Sequence, residues 1–396
     1  MQKTYIVITG DKHVPAVKAD QTLGAHYALP KVAPEILASA QIRSETIDDQ
    51  KAKQLSQAPE VKAIVPSMPM RLIAPLKSAD EKVDKMPGPT WGVRAVGAET
   101  SPFDGAGVTV AILDTGIDAS HPAFSGVSLM QRDFTGEGID DQHGHGTHCA
   151  GTIFGREVDG VRIGVAPGIK HALIGKVIGD RGGTSEKIVN AILWAADNGA
   201  SIISMSLGID FPGYVAELQR QGLAVEAATS MALEDYRKNV LLYQGLTEML
   251  AYRLNPTLLL AAAGNESRRN DIKPYEIAVS PPAVSRGFIS VAAVGETNAR
   301  FTVAPFSNTG ATLSAPGVNV VSTRLGGGLV SMSGTSMATP HAAGVAALWA
   351  EKLLKTGVMN ATELNAKLIA SGTYKKFKDG FDLADLGSGL VFAPQD

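Results

Sequence analysis

The stretch GVTVAILDTG, residues 107–116, decides the fold class of this chain. Its run up to Leu113 is short and mostly apolar, which is typical of a strand buried on both faces of a parallel sheet. The run ends at Asp114, and a carboxylate directly after a buried strand is scarce unless it has a partner. Because ligands of open α/β sheets bind beyond the carboxyl ends of the strands, Asp114 is a candidate functional residue.

From Trp91 onward, short apolar runs alternate with helical stretches, which predicts a parallel sheet covered by helices. Between two of these runs, residues 184–199 place Ile188 and Ile192 on one helical face, and Gly199 is positioned to end the helix. The further apolar runs are HALIGKVIG (171–179), ASIISMSLG (200–208), TLLLAAAGN (257–265) and FISVAAVG (288–295).

The connection between Gly208 and Asn265 is about twice as long as a single crossover helix requires. Leucine, valine and tyrosine recur there at helical spacing, which predicts a long helix over 231–254 and a second short helix that fills 213–230. We therefore expect a helical insertion at about 209–257. Extra packing is the simplest role for it, and a lid or docking surface beside the site is the alternative.

The first part of the chain has a different pattern of apolar and polar residues, which predicts a small α+β unit over residues 1–76. We expect a strand at TYIVITG (4–10), mostly helix over 31–57, and one or two strands in VKAIVPSMPMRLIAP (61–75). Residues 77–90 are first charged and then rich in proline and glycine, as in an exposed linker.

The composition is that of a soluble globular protein: 396 residues, 44% apolar, 19% charged, with a net charge of −3. The length favours two domains, and the weak charge argues against nucleic-acid or membrane partners. No run of about 18 apolar residues predicts a membrane span. The single cysteine, Cys149, excludes an intrachain disulfide. Without a signal-peptide pattern, we expect a cytoplasmic protein, or a secreted one if a signal was trimmed.

Three segments each place a reactive side chain among glycines and small residues. The third precedes a long helical run, so backbone N–H groups at that helix start can stabilise a developing negative charge. The segments contain Asp114 in ILDTGID (112–118), His145 in HGHGTHCAG (143–151) and Ser336 in SGTSMATPHAAG (333–344).

These segments resemble the signature regions of the subtilisin-like serine proteases, the subtilases of peptidase family S8. The spelling HGTHCAGT at 145–152 is similar to that of proteinase K, and the order Asp, His, Ser agrees with the subtilisin order. The resemblance covers residues 91–396 and implies a three-layer α/β/α fold with a mainly parallel sheet. It also implies a serine endopeptidase that needs no cofactor for its chemistry and acts on peptides or proteins.

The resemblance assigns a role to each reactive residue. Ser336 resembles the nucleophile, and His145 resembles the general base that takes its proton. Asp114 resembles the carboxylate that holds the histidine in one tautomer and stabilises its imidazolium. Asn265 resembles the side-chain donor of the oxyanion hole, with the backbone N–H of Ser336 as the second donor.

The resemblance also implies two walls of a substrate cleft. One wall pairs with an extended peptide as an added strand, and the other lines the main specificity pocket. Small residues there favour a sizeable apolar side chain, although the segment SPPAVSRGF (280–288) replaces the usual pocket floor. The walls are Ser206, Leu207 and Gly208 on one side, and Ala262, Ala263 and Gly264 on the other.

Metal binding by His143, His145 and His148 is an alternative interpretation of the second segment. We expect no metal site, because a threonine precedes His148 where binuclear metallohydrolases tend to carry an aspartate. We expect His143 in a solvent-facing loop and His148 packed below the base. His341 is expected to support the nucleophile's helix, and Cys149 to be a small buried residue. The resemblance to proteinase K implies that the Cys149 thiol makes the protein sensitive to mercurials.

Four carboxylates near the second segment are candidates for a structural calcium ion, which subtilases often use to hold loops. No stretch has the spaced carboxylate pattern of an EF-hand, so capping of turns is the preferred interpretation. The residues are Asp118, Asp133, Asp140 and Asp141.

The N-terminal unit resembles the inhibitory propeptide domain of subtilases, whose C-terminal tail occupies the cleft until it is cut. An unrelated accessory domain is the alternative. We expect self-processing within residues 73–90. Two other functions stay open: a peptide-joining or macrocyclising subtilase, and a protease held inactive by its N-terminal unit or by a partner on 209–257.

Overall fold

A mainly parallel eight-stranded sheet lies at the centre of the structure, which is a computed structural model. It describes residues 2–9, 41–76, 87–251, 257–357 and 359–396. Within these ranges the strands are β1 (Gln2–Thr9), β2 (Gln41–Asp48), β3 (Val61–Pro66), β4 (Pro69–Leu72), β5 (Gly88–Pro89), β6 (Thr109–Asp114), β7 (Ser128–Asp133), β8 (Val161–Arg162), β9 (His171–Lys176), β10 (Gly183–Thr184), β11 (Ile202–Met205), β12 (Leu207–Ile209), β13 (Leu258–Ala262), β14 (Phe288–Thr297), β15 (Arg300–Val303), β16 (Leu313–Pro316), β17 (Val320–Thr323) and β18 (Leu329–Met332).

The helices of the same ranges surround this sheet. They are α1 (Asp49–Leu55), α2 (Trp91–Ala95), α3 (His145–Phe154), α4 (Ser185–Asp197), α5 (Phe211–Arg220), α6 (Val225–Ala251), α7 (Thr335–Thr356), α8 (Ala361–Ala370) and α9 (Leu383–Leu386).

The strand order of the central sheet is β15-β14-β13-β11-β6-β9-β7, with β16 also paired to β14. All neighbours are parallel except β15, which runs antiparallel to β14. The five apolar runs of the sequence form β6, β9, β11, β13 and β14, as predicted. Strand β7, at the sheet edge, alternates exposed and half-buried residues, and the sequence analysis did not single it out because its apolar run is too short.

Strand β6 shows how the sheet separates two helical layers. Val110 and Ile112 pack with α3 and α7 on one face. Ala111 and Leu113 pack with α4 and α6 on the other face. Each large apolar side chain buried in this way contributes roughly 1.5–3 kcal/mol to folding. Burial on both faces explains the continuous apolar runs, and the three-layer α/β/α architecture is that expected from the sequence.

Helix α4 begins and ends as its sequence indicates. The side chain of Thr184 caps its N-terminus by accepting from the N–H of Lys187, and Glu186 lies in the first turn. Asn198 follows its last turn, and Gly199 takes a φ of +82°, a conformation that a residue with a Cβ adopts only with strain. The prediction of a helix over 184–199 is confirmed.

The insertion after Gly208 is helical, as predicted, but its boundaries differ. The first helix, α5, begins at Phe211 and ends at Arg220, and the long helix α6 already begins at Val225. The prediction of a second helix reaching residue 230 was wrong. A turn at Gly222, with a φ of +98°, separates the two helices at a position where the apolar periodicity alone showed no break.

The N-terminal unit contains a three-stranded antiparallel sheet of order β2-β1-β3, followed by β4. Helix was predicted over 31–57, and this was wrong for residues 41–48, which form β2. All eight residues of β2 pair with β1, so a long-range partner decides their conformation. Only Asp49–Leu55 is helical there, and residues 31–40 of that prediction lie outside the described ranges.

The N-terminal sheet packs on the insertion. Ile6 and Val65 belong to the same buried apolar cluster as Leu242 and Tyr243 of α6. The side-chain amide of Asn239 donates a 2.9 Å hydrogen bond to the carbonyl oxygen of Pro66. The insertion therefore serves as a docking surface for the N-terminal unit.

Most of the predicted linker, residues 77–86, lies outside the described ranges. Its last part is not an exposed linker, because β5 is half-buried and pairs with β8. Among the described residues, no helix has both the length and the apolar character that crossing a membrane requires.

Candidate active site

Asp114, His145 and Ser336 come from three elements that meet at one edge of the central sheet. Asp114 is the last residue of β6, His145 is the first residue of α3, and Ser336 is the second residue of α7. All three side chains are buried. The structure thus brings together the segments that the sequence analysis singled out.

The carboxylate of Asp114 holds the imidazole of His145. The Nδ1 atom of His145 lies 2.8 Å from Oδ1 of Asp114, and the N–H of Thr115 donates to the same oxygen at 2.8 Å. The Nε2 atom of His145 is buried and has no hydrogen-bond partner among the described residues. This arrangement assigns the proton to Nδ1 and leaves the Nε2 lone pair available to accept a proton.

The electrostatic environment of His145 favours its protonated form. Burial is the largest single effect and lowers the pKa of this imidazole, but the charge of Asp114, the Cys149 side chain and the hydrogen bond to Asp114 together raise the pKa well above its usual value. An imidazolium formed during a reaction is therefore stabilised at the position where it arises.

Ser336 lies at the N-terminus of α7. Gly334, two residues before it, has no side chain, so the Ser336 hydroxyl and the Asn265 amide can both lie close to it. A Cβ on Gly334 would lie 2.8 Å from Oγ of Ser336 and 3.0 Å from Nδ2 of Asn265. The hydroxyl and the amide therefore flank the same glycine. In this structure Oγ of Ser336 contacts the sulfur of Met337 at 3.5 Å, so the hydroxyl is not engaged by His145.

Asn265 follows β13, and its amide is held in one orientation. Its Oδ1 accepts from both the N–H and the hydroxyl of Thr335, at 2.8 and 2.9 Å. Its Nδ2 donates at 3.0 Å to the carbonyl oxygen of Ala74, a residue that follows β4. Because Thr335 fixes the oxygen, the amide nitrogen is presented to a peptide carbonyl in the cleft.

The first wall of the cleft is occupied by a segment of the chain itself. Residues 69–76, called the tail below, begin with β4, which lies between β12 and β10 and pairs antiparallel with both. Gly208 pairs with Arg71, and the N–H of Ile73 donates to the carbonyl oxygen of Ser206 at 3.1 Å. The predicted wall of Ser206, Leu207 and Gly208 thus lies beside an extended peptide.

The second wall continues from β13 through Ala262, Ala263 and Gly264. Gly264 has a φ of +116°, and a Cβ there would lie 2.2 Å from Nδ2 of Asn308, so only glycine fits. Ser280, the first residue of the 280–288 segment, faces the first wall, with its Oγ 3.2 Å from the position of a Cβ on Gly208. That segment therefore lies beside the first wall at its first residue.

The tail ends beside the loop that precedes Ser336. The N–H of Leu76 donates to the carbonyl oxygen of Ser333 at 2.8 Å. The tail thus contacts β12 at one end and Ser333, three residues before Ser336, at the other. The resemblance of the N-terminal unit to a propeptide domain predicted a tail in the cleft, but the sequence did not predict which residues of the tail pair with which residues of the cleft.

Two of the three other histidines considered in the sequence, His148 and His341, have hydrogen-bond partners of their own. His143 lies exposed in a loop, whereas His148 and His341 are buried and donate to the backbone carbonyls of Val320 and Met337. Burial lowers the pKa of His148 to about 3 and that of His341 to about 4, so both are neutral. Neither lies with His145 in a shared ligand set among the described residues.

Cys149 lies beneath the reactive residues. Its Sγ is 3.8 Å from Nδ1 of His145 and 3.5 Å from the carbonyl oxygen of Ser336. Burial raises the pKa of this thiol, so it stays protonated. The trio of Asp114, His145 and Cys149 is the one group in the described ranges with ligand atoms close enough to share an ion, and it coincides with the site described above.

The four acidic candidates differ in their contacts. Asp118 and Asp133 accept from backbone N–H groups of the turns that follow them, at Ser120 and Thr135 respectively. Asp141 is buried and accepts from the hydroxyls of Thr115 and Thr147 and from three backbone N–H groups. Hydrogen bonds to the charged form lower the pKa of all three, although burial opposes them. Capping of turns describes these three, and calcium binding stays a prediction.

Comparison with known proteins agrees with this geometry. A sequence model of the subtilase family matches residues 105–389. Subtilisin-like protease 1 of Arthroderma gypseum is 33% identical over 323 residues, which is 77% of this chain and 56% of that protein. The protein of the same name from Trichophyton equinum is 31% identical and is covered over 53% of its length. M-protease of Shouchella clausii is 35% identical over 71% of this chain and 67% of that protein.

The matched region spans little more than half the length of the fungal relatives. It includes β6, α3 and α7, the elements that carry Asp114, His145 and Ser336. The family match covers well over half of the chain. This chain belongs to the subtilase family.

Proposed function

We propose that this chain is a serine endopeptidase made as a proenzyme, with Asp114, His145 and Ser336 as its catalytic triad. The observation that carries the proposal is the extended tail in the cleft, whose Ala74 carbonyl accepts from Asn265. A cleft that pairs with peptide backbone and offers an amide to a peptide carbonyl suits the hydrolysis of peptide bonds.

The chemistry follows from the positions of the polar atoms. Oγ of Ser336 attacks the carbonyl carbon of a bound peptide while Nε2 of His145 takes the hydroxyl proton. The carbonyl oxygen becomes an oxyanion that accepts from Nδ2 of Asn265 and from the N–H of Ser336. The intermediate collapses to an acyl-enzyme as His145 protonates the leaving amine. Water then attacks the ester by the same steps, which releases the acid and restores the serine.

The N-terminal unit acts as an intramolecular inhibitor in this proposal. Its tail fills the cleft, and its sheet is held on α6 by apolar packing and by Asn239. A substrate must displace the tail before it can pair with β12. We propose that maturation cuts the chain within residues 73–90, which frees the far end of the tail from the catalytic unit.

Labelling with a fluorophosphonate followed by intact-mass measurement tests this function. The probe forms a bond from phosphorus to Oγ of Ser336, and fluoride leaves as the P–F bond breaks. We expect one label per chain, faster after cutting than before it because the tail covers Ser336. If the chain takes up no label either before or after cutting, the proposed protease function is refuted and a binding role remains.

The masses of the peptide products separate hydrolysis from peptide joining. Hydrolysis adds one water to the summed mass of the fragments, whereas joining or cyclisation adds none. We expect the mass of one added water. Products without it would identify a peptide-joining subtilase that uses the same triad.

Replacing Asn265 by alanine should lower kcat by about 10²–10³, with a smaller effect on KM, because the amide stabilises the oxyanion more than the ground-state carbonyl. This magnitude is the one measured for the corresponding donor in subtilisin. Steady-state kinetics on a peptide substrate checks it. Asn270→Ala, at an exposed position five residues downstream, is the control and should leave kcat unchanged. Equal kcat values for wild type and Asn265→Ala would exclude the oxyanion role.

The pH profile of kcat/KM should rise through an apparent pKa above 6.5. His145 must be neutral to accept a proton, and the charge of Asp114 raises its pKa, so the base is lost to protonation at higher pH than for a free imidazole. Rates measured from pH 5 to 9 check this. A rising limb centred below pH 6.5 would contradict the role of the Asp114 charge.

A further inference from the structure

The tail carries one arginine, and this side chain lies between two carboxylates of the cleft. We propose that Asp210 and Glu266 form an acidic subsite that selects peptide substrates with a basic residue two positions before the residue in the main pocket. This proposal rests on the proposed protease function and names the substrate class of its cleft.

The backbone register of the tail defines the position concerned. The N–H of Ile73 donates to Ser206, and its side chain lies 3.7 Å from the position of a Cβ on Gly208, beside Ser280. Backbone pairing therefore places Ile73 at the main pocket, whereas the amide of Asn265 contacts the carbonyl oxygen of the next residue, Ala74, in this structure. Arg71 precedes it by two positions and pairs with Gly208 in the antiparallel ladder.

The guanidinium of Arg71 contacts one carboxylate with each terminal nitrogen. Its NH1 atom lies 3.2 Å from Oδ1 of Asp210, and its NH2 atom lies 3.0 Å from Oε1 of Glu266. The two carboxylates come from opposite walls, one after β12 and one after β13. A peptide that lacks a cation at this position leaves two like charges facing the same space.

Both carboxylates are held in place by contacts other than the arginine. Asp210 caps the N-terminus of α5 by accepting from the N–H of Gly213 at 3.1 Å. Oε2 of Glu266 accepts from Nδ2 of the buried Asn308 at 2.8 Å, which leaves Oε1 directed at Arg71. Asn308 also donates to the carbonyl oxygen of Ala263, so the subsite is connected to the wall of the main pocket.

The space next to the guanidinium is apolar. A cavity of about 550 Å³ adjoins the ion pairs and is lined in part by Phe211, Leu233, Tyr236 and Ile277. Such a surface suits the methylene stem of arginine or lysine while the charged end reaches the carboxylates. The subsite therefore combines a charge that selects a cation with a wall that accepts its hydrocarbon part.

The solvent exposure of the three side chains sets how strongly the subsite prefers a basic residue. The side chains of Arg71, Asp210 and Glu266 are 43%, 30% and 38% exposed, so solvent and salt weaken each pair. Two such pairs together favour arginine over glutamine by about tenfold. Glutamate at the same position is rejected more strongly because it meets two like charges.

The test uses the full-length, self-processed chain and quenched fluorescent peptides of sequence Pro-Met-X-Leu-Ile-Ala-Ser-Gly. X is arginine, lysine, glutamine or glutamate. We expect kcat/KM to be highest for the peptides with Arg or Lys, lower for the Gln peptide and lowest for the Glu peptide. The preference for arginine should fall as salt is added. In the Glu266→Gln and Asp210→Asn variants, the ratio of kcat/KM for the Arg peptide to kcat/KM for the Gln peptide should fall toward one. Glu248→Gln, at an exposed site on α6, is the control and should keep the wild-type ratio.

A second measurement does not need catalysis. In the full-length Ser336→Ala chain, Arg71→Gln should speed hydrogen exchange at the amides of Ile73 and Leu76, because the tail loses its anchor. If no peptide is cut but this exchange rises, the subsite stands and the protease function fails. Equal cleavage of the Arg and Gln peptides, or unchanged exchange, overturns the subsite.

Discussion

Replacing Ser336 by alanine is expected to lower kcat by about 10⁶-fold, the magnitude that subtilisin shows when its nucleophilic serine is removed. Without Oγ no acyl-enzyme forms, so both peptide hydrolysis and self-cutting within residues 73–90 should stop. Steady-state kinetics and the intact mass of the purified chain measure the two effects. The fold should persist, because the Ser336 hydroxyl has one hydrogen-bond partner among the described residues, the sulfur of Met337.

The matched control is Ser125→Ala, which removes a hydroxyl from an exposed turn. It should be processed like the wild type. A Ser336→Ala chain that is still cut in the same window when purified from cells would show that another protease performs the maturation. Peptide hydrolysis by Ser336→Ala at the wild-type rate would refute the assignment of Ser336 as the nucleophile.

Replacing Asp114 by asparagine is expected to lower kcat by about 10⁴-fold, as in other enzymes with such a triad. The amide can donate to Nδ1 of His145 and so stabilise the tautomer with its proton on Nε2, which cannot accept from Ser336. The charge that raises the pKa of His145 is also lost, and burial, which lowers it, remains. The rising limb of the pH profile should therefore move to lower pH.

Kinetics from pH 5 to 9 on both proteins checks this result, and the rate of fluorophosphonate labelling should fall in parallel. Asp133→Asn is the control, since that carboxylate caps a turn at Thr135 and is not part of the triad. A rate within tenfold of the wild type would show that Asp114 neither orients nor stabilises the imidazole.

The fold was predictable where local pattern and burial agree. The apolar runs around β6, β11 and β13 are continuous because both faces of the sheet are covered, and this pattern is visible in the chain alone. The helix at 184–199 has a capping threonine before it and Gly199 after it. These are short-range features, so no partner element is needed to recognise them.

The errors arose where a distant partner decides the conformation. Residues 41–48 have few apolar positions, and they form β2 because β1 pairs with all eight of them. The break between α5 and α6 lies at Gly222, within a stretch whose apolar spacing continues. Local propensity is a weak guide in such places, since tertiary pairing and turn geometry outweigh it.

The sequence by itself determined which residue types meet in the cleft, because the segments around Asp114, His145 and Ser336 each combine a reactive group with turns and small neighbours. The resemblance also implied that the end of the N-terminal unit fills that cleft, but only the tertiary structure decided the register in which it does so. The tail reaches β12, and Arg71 meets Asp210 and Glu266 across large separations in the chain. Local patterns encode burial and turns, whereas contacts between distant segments arise from packing, which no short stretch contains.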